Sequence, residues 1–307
     1  MKKRIVILLL GMAIMAILPF ISMKKTVKEE VKDTRKDGFH ILDTSCNRIV
    51  AIDDREFCIG ALAYEMPSDF EKEALKAQCI ACYTHFSRLR ENSRENYDFK
   101  ADLSKNEFYI KDLSDENRKI FSQAVDEVFG EVLTDSDGNL TDVAYHAISS
   151  GQTESAEDIF GFESEYLQPV SSAGDVNVSG YLSSKEISAD RFREVMAEKG
   201  VKLDGEPSEW TGDIQRTNSG TVMKIQIGNK TFSGAEIREM FGLRSADFDI
   251  MYSNGKFILT VYGYGHGVGM SQYGANSMAE QGASCEEIIH HYYGNCRIQK
   301  ISGQPKS

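Results

Sequence analysis

The chain has 307 residues, a net charge of −12 and 41% hydrophobic residues. That apolar share supports a real core, and the acidity excludes a nucleic-acid partner, which would call for a basic face. Beyond the first 38 residues, about 265 remain, enough for one large domain or one domain with a second lobe.

The N-terminus comes first. Lys2, Lys3 and Arg4 precede an apolar run from Ile5 to Met23, and Lys24 and Lys25 follow. The run is 19 residues long, about the length that spans a bilayer. It reads as a signal peptide or an anchor, and no A-x-A-like site follows, which favours an uncleaved anchor over residues 1–25. The basic end then stays inside and the rest is exported. Residues 26–38, nearly all charged or polar, read as a tether. Residues 301–307 form a short tail. Six cysteines, Cys46, Cys58, Cys79, Cys82, Cys285 and Cys296, are few for a disulfide scaffold of this size, and their spacing fixes no pairing.

Two helices follow from Phe57. Tyr64-Glu65-Met66-Pro67 ends the first, because proline disfavours the α conformation in the residue before it. Ser68-x-x-Glu71 reads as a capping box for the second, whose apolar stripe runs through Leu75, Cys79, Cys82, Phe86 and Leu89. A carboxylate at a helix C-terminus faces the negative end of the dipole. Partial desolvation there would raise its pKa further, as a general acid requires. Local sequence alone nevertheless favours a surface glutamate at Glu65. Cys79, Cys82 and His85 stand at three-residue steps, yet no fourth ligand is near in sequence. A buried helix face is the better reading, and no metal is expected.

Val143 to Ile148 reads as a short strand leading into Ser149-Ser150-Gly151-Gln152-Thr153, a turn dense in polar groups that could orient a polar ligand. G-x-S-x-G is absent, so a serine hydrolase is not supported. Residues 180–250 carry an amphipathic segment, SSKEISADRFREVMAEKG, and alternating segments such as TVMKIQIGNKTF. They are expected to form a smaller lobe. Lys256 to Val261 is a strand, and GYGHGVGMSQYGANSMAEQG follows from Gly263 to Gly282. Its alternating glycines suggest a wall stripped of side chains to admit a bulky ligand. Tyr262, Tyr264, His266, Gln272 and Tyr273 would supply hydrogen bonds and flat faces suited to sugar rings. Neither the Walker spacing nor G-x-G-x-x-G fits. Ser271 caps a helix to about Gln281, and Ser284-x-x-Glu287 caps another.

AYEMPSDFEKEALKAQCIACYTHF, AYHAISSGQTESAEDIFG, GYGHGVGMSQYGANSMAEQG and HHYYG, in this order, resemble the stage II sporulation protein D (SpoIID) family. TFSGAEIREMFGLRSADFDI is a weaker match between the second and third, and the resemblance covers residues 39–300. It implies an α+β fold: a single catalytic domain with a glycan-binding groove and a smaller second lobe, behind one N-terminal transmembrane helix. It implies a peptidoglycan lytic transglycosylase, a lyase acting during engulfment at the sporulation septum, without a cofactor. The substrate would be glycan strands lacking stem peptides. The partners would be a SpoIIP-like amidase and a SpoIIM-like integral membrane protein.

The family's catalytic glutamate lands on Glu65. Its other motifs land on His146, Ser149, Ser150, Gly151, Thr153, Tyr264, His266, Gly267, Ser271, Gln272 and Tyr273 as substrate-binding positions. Tyr83 and His85 stand where the family usually has Arg and Tyr. ADLSKNEFYI lacks the Cys/His pair of some relatives. A non-catalytic glycan-binding scaffold that activates an amidase is the alternative, and a hydrolase using water is the nearer enzymatic rival.

Overall fold

A computed structural model describes residues 38–301. The expected anchor, the tether and most of the tail lie outside the described residues. Among those described, no helix is long and apolar enough to cross a membrane.

The chain opens with β1 (Phe39–Asp43) and β2 (Arg48–Ile52), an antiparallel hairpin. Helix α1 (Asp54–Glu65) follows, capped by Asp53, whose side chain accepts from the amides of Arg55 and Glu56. It ends where Met66, ahead of Pro67, turns extended at φ −130° and ψ 145°. Helix α2 (Lys72–Asn92) starts later than the sequence suggested, and the Ser68–Glu71 capping box does not form. Instead the Phe70 amide bonds the Pro67 carbonyl in a turn, and the Glu71 amide is taken by Asn276 Oδ1 at 2.7 Å. A tertiary contact thus replaces the local cap.

Strand β3 (Phe99–Ala101) pairs parallel to β1, and α3 (Asp115–Val128) packs on α1 and α2. Then come β4 (Glu131–Thr134), the two-residue β5 (Tyr145–His146) and α4 (Ala156–Phe160). Strand β5 is shorter than the six residues expected, because its ladder partner is itself two residues long. The middle of the chain holds β6 (Leu182–Ser188), α5 (Ala189–Glu198), β7 (Thr211–Arg216), β8 (Val222–Ile227), β9 (Lys230–Phe232), α6 (Gly234–Phe241), β10 (Phe248–Ser253) and β11 (Lys256–Tyr262). The chain returns through β12 (Met270–Ser271), α7 (Gln272–Glu280), α8 (Cys285–Tyr293) and β13 (Arg297–Lys300). Ser271 and Ser284 cap α7 and α8, the latter with the capping box to Glu287. Strand β12 lies parallel to β5, and β13 antiparallel to β4.

This is a mixed α+β fold built on several small sheets. Two apolar clusters hold it. The first joins the hairpin, α1, α2 and α3 to the returning α7 and α8, through Phe39, Phe57, Leu62, Phe86, Met270, Ile288 and Tyr293. The stripe residues Leu75, Cys79, Cys82 and Phe86 of α2 are all buried in it. The second spans Ile187 to Val261, past residue 250 to include β11. There the Phe192 ring stacks on Phe257 at 4.1 Å, and both lie against Trp210. Each such buried ring contributes roughly 1.5–3 kcal/mol. Polar contacts join the two bodies: Glu154 Oε1 accepts from Thr217 Oγ1 and the Thr221 amide, and Ser219 Oγ donates to the Thr153 carbonyl.

Candidate active site

Glu65 is the last residue of α1 and is half-buried. Gln272 Nε2, from the first turn of α7, lies 3.3 Å from its Oε2, and the Tyr145 hydroxyl of β5 lies 3.5 Å from its Oε1. Both are long contacts. They stabilise the carboxylate, yet burial dominates and raises the Glu65 pKa from 4.5 to about 7. No other acid acts on it among the described residues. Such a carboxyl can give a proton and take one back near neutral pH.

A buried chain of donors stands behind that contact. Gln78 Nε2 donates to Cys82 Sγ at 3.4 Å, and the Cys82 thiol donates to the Tyr145 oxygen at 3.3 Å. Burial, then the nearby Glu65, pushes the thiol pKa up, so it keeps its proton. A hydroxyl that accepts from Cys82 directs its own hydrogen elsewhere, here towards Glu65. Neither Tyr145 nor Cys82 was singled out for the site from sequence. Tyr145 stands beside His146 in the strand segment, and Cys82 was legible as an apolar stripe position and, with Cys79 and His85, as a metal ligand set that lacked a fourth member.

The Ser149–Thr153 turn faces its own protein more than a ligand. Ser149 is buried, and its amide and hydroxyl both donate to Asp175 Oδ2, at 2.8 and 2.6 Å. Ser271 Oγ lies 3.0 Å from the other oxygen of Asp175 and accepts the Gly274 amide as the α7 cap. Asp175 therefore ties the turn to the helix that carries Gln272, and no pattern in the sequence marked it. Ser150 donates to the Ser219 carbonyl, and Thr153 Oγ1 accepts the Val170 amide. Gly151 follows at φ +103°.

The glycine run also has a different reason from the open wall that its composition suggested. Gly263, Gly265, Gly267 and Gly269 all have positive φ. The loop lies flat on the 144–149 segment: the Tyr264 amide bonds the Ile148 carbonyl at 2.7 Å and the Met270 amide bonds that of Ala144 at 3.0 Å. A β-carbon at Gly269 would stand 2.0 Å from the Ala144 oxygen, and one at Gly263 2.6 Å from that of Ile148. Glycine permits a close approach between backbones, and this approach places β12 and Gln272.

His146 and His266 flank this loop with ring centroids 5.7 Å apart. The Val268 peptide fixes both tautomers. His146 Nδ1–H donates to its carbonyl at 3.1 Å, and its amide donates to His266 Nδ1 at 3.0 Å. Among the described residues the His146 Nε2 lone pair is buried without a partner, while the Tyr145 backbone carbonyl acts on the His266 ring. Burial pulls the two pKa values down to about 4 and about 3, so both rings are neutral at pH 7. Gly267 abuts the Glu154 side chain, and Tyr273 meets the Phe70 ring edge-on at 4.8 Å. Tyr264 is half-buried under the Arg244 guanidinium.

Tyr83 and His85, the two departures on α2, do not touch Glu65. The Tyr83 hydroxyl donates to Asp54 at 2.8 Å, at the far end of α1, where Arg90 also grips Asp54 with both nitrogens at 3.0 Å. His85 packs on Phe86. Cys79 and Cys82 are buried free thiols. Among the described residues, no group of three or more His, Cys, Asp and Glu side chains is placed to hold a metal ion.

A model of the family described as stage II sporulation protein matches residues 43–134, which include Glu65 and all of α2. Stage II sporulation protein D of Bacillus amyloliquefaciens is 36% identical over 271 residues, covering 84% of this chain and 77% of that protein. This chain belongs to the stage II sporulation protein D family. The Bacillus subtilis SpoIID protein is 34% identical over 267 residues, covering 80% of this chain and 74% of that protein. A more distant relative, the amidase enhancer of Bacillus subtilis, is 24% identical over 285 residues, 76% of this chain and 39% of that protein. The resemblance of the motif segments to SpoIID thus extends over most of the chain.

Proposed function

We propose that this SpoIID-family chain is a lytic transglycosylase. It breaks the bond from N-acetylmuramic acid to N-acetylglucosamine in peptidoglycan strands that lack stem peptides, during engulfment in sporulation. The observation that carries the reading is Glu65: one carboxyl, raised to about 7 by burial, held by Gln272 and Tyr145, with no second acid acting on it among the described residues. Glycoside hydrolysis ordinarily needs two carboxylates. A transglycosylase manages with one. Protonated Glu65 gives its proton to the bridging oxygen as the glycosidic bond breaks. The carboxylate then takes the proton of the C6 hydroxyl on the same muramic residue, and that oxygen closes a 1,6-anhydro ring on the anomeric carbon. The nucleophile is part of the substrate, so no water has to be positioned.

In this reading residues 1–25 anchor the chain and the described residues act outside the membrane. A SpoIIP-like amidase and a SpoIIM-like membrane protein are its partners. The relative named amidase enhancer favours a second reading, a non-catalytic glycan-binding activator of an amidase. Glu65→Gln separates the two. It keeps the shape, removes the proton cycle, and should lower cleavage of denuded strands by at least about 100-fold while leaving binding intact. Unchanged cleavage would end the transglycosylase reading. A wild type that cleaves nothing, yet stimulates an amidase to the same extent as the Glu65→Gln variant, would establish the activator.

A further inference from the structure

A strand at the rim of a sheet presents a row of main-chain groups that no neighbouring strand takes up. Strand β6 is such a strand. Its sheet runs β10-β11-β6, and at seven residues it is the longest edge strand among those described. The register against β11 tells which of its groups face out. Ser188 stands opposite Lys256 and Leu182 opposite Tyr262. Just beyond the two ends, the Ala189 amide bonds the Gly255 carbonyl and the Gly263 amide bonds that of Tyr181. Bonded and non-bonded pairs alternate along an antiparallel ladder. Ser183, Lys185 and Ile187 are therefore the positions bonded to β11, and the amides and carbonyls of Leu182, Ser184 and Glu186 point away from it. All three residues are exposed, and no group among the described residues bonds those amides or carbonyls.

A groove of about 420 Å³ adjoins this edge, lined by Lys185 and Ile187 of β6, Arg191 and Val195 of α5, and Met240 and Phe241 of α6. No residue of β11 lines it, so it opens on the free side of β6. Alternation along the strand puts Lys185 and Ile187 on the face that carries Phe257 and Leu259 of β11. The floor is apolar, with Ile187, Val195 and Phe241 buried in the second cluster. The rim is basic. Lys185 is exposed and has no acid within ion-pair distance among the described residues, whereas Glu186, on the opposite face, is held by Lys256 at 2.6 Å. Arg191 meets only Glu194 of its own helix, in an exposed pair at 2.9 Å. Lysine on an edge is a common guard against chance pairing, but a guard needs neither an apolar floor nor a groove.

We propose that the free edge of β6 and this groove take up an extended segment of a partner protein as an added strand, one that carries an apolar and an acidic side chain two residues apart. The added backbone meets the outward amides and carbonyls of Leu182, Ser184 and Glu186. The residue opposite Ile187 sends its apolar side chain into the groove, and the residue opposite Lys185 brings the acid. Cross-strand neighbours on one face lie close enough to pair in this way. A second copy of this chain fits less well, because two β6 strands in full antiparallel overlap would set Lys185 opposite Lys185. Strand β6 packs in the second apolar cluster, whereas Glu65 ends a helix of the first, so binding there needs none of the chemistry at Glu65.

The test uses the full-length chain and a fluorescently labelled, blocked heptapeptide of threonines that carries valine and glutamate two residues apart. A control peptide has lysine in place of the glutamate. Anisotropy titrations should show the glutamate peptide binding about 5-fold more tightly, as an exposed ion pair allows. Lys185→Glu, a change of an exposed side chain, should reverse that preference by a similar factor. Ser184→Pro removes one outward amide and leaves the β11 ladder intact, since proline is tolerated where an edge amide faces water. It should weaken both peptides about 10-fold. Equal affinity for the two peptides, affinity unchanged by Ser184→Pro, or no binding of the glutamate peptide overturns the docking edge. A wild-type chain that forms dimers which Ser184→Pro dissociates gives the edge to a second copy and overturns the proposal as well.

Discussion

Gly269→Ala should be far more damaging than an ordinary loop substitution. Gly269 has φ +72°, and an alanine held there costs about 1–2 kcal/mol. The new β-carbon would also lie 2.0 Å from the Ala144 oxygen and 2.7 Å from its carbonyl carbon, both main-chain atoms. The segments must part by about 1 Å or more, which strains or breaks the bond from the Met270 amide to Ala144 and adds about 2–4 kcal/mol. Gly242→Ala is the control. Its φ is +62°, and nothing lies within 4 Å of an added β-carbon. It should cost only the conformational term. Urea unfolding of both variants, read at equal slope, measures the difference. A Gly269→Ala variant within about 0.5 kcal/mol of Gly242→Ala would refute the close backbone approach as the reason for the glycine.

Three further outcomes are expected. Cleavage should fall as pH rises through about 7, where Glu65 loses the proton it must donate; a rate that keeps rising past pH 8 would contradict this. Glu65→Gln should melt above the wild type at pH 8 and level with it near pH 4. The folded-state pKa of Glu65 is raised, so the folded chain holds the extra proton between about 4.5 and 7 and loses stability as the pH rises through that window. Calorimetry at the two pH values checks the sign. Cys82→Ala should free the Tyr145 hydrogen to turn from Glu65 and move the pH profile upward, because a donor to the carboxylate is lost. Cys82→Ser, which restores a donor, should bring the profile back towards the wild type.

Local rules carried part of this fold into the sequence. Pro67 marked the end of α1, Ser271 and the Ser284–Glu287 pair marked α7 and α8, and the stripe of α2 marked its buried face. What failed locally failed for tertiary reasons. The Ser68 capping box lost to the Asn276 side chain, which lies 205 residues beyond Glu71 in sequence. The alternating glycines signalled a special backbone, but the approaching partner, Ala144 to Ser149, lies more than a hundred residues earlier. Asp175, Tyr145 and Cys82 become visible only when β5, α2 and α7 meet around one carboxyl.

The central claim is tested most directly by mass spectrometry of the products that the wild-type chain releases from denuded glycan strands. A transglycosylase leaves 1,6-anhydro-N-acetylmuramic acid ends, each lighter by one water than a reducing end, and Glu65→Gln should leave the strands intact. Reducing ends in the wild-type digest would show that water is the nucleophile and contradict the mechanism.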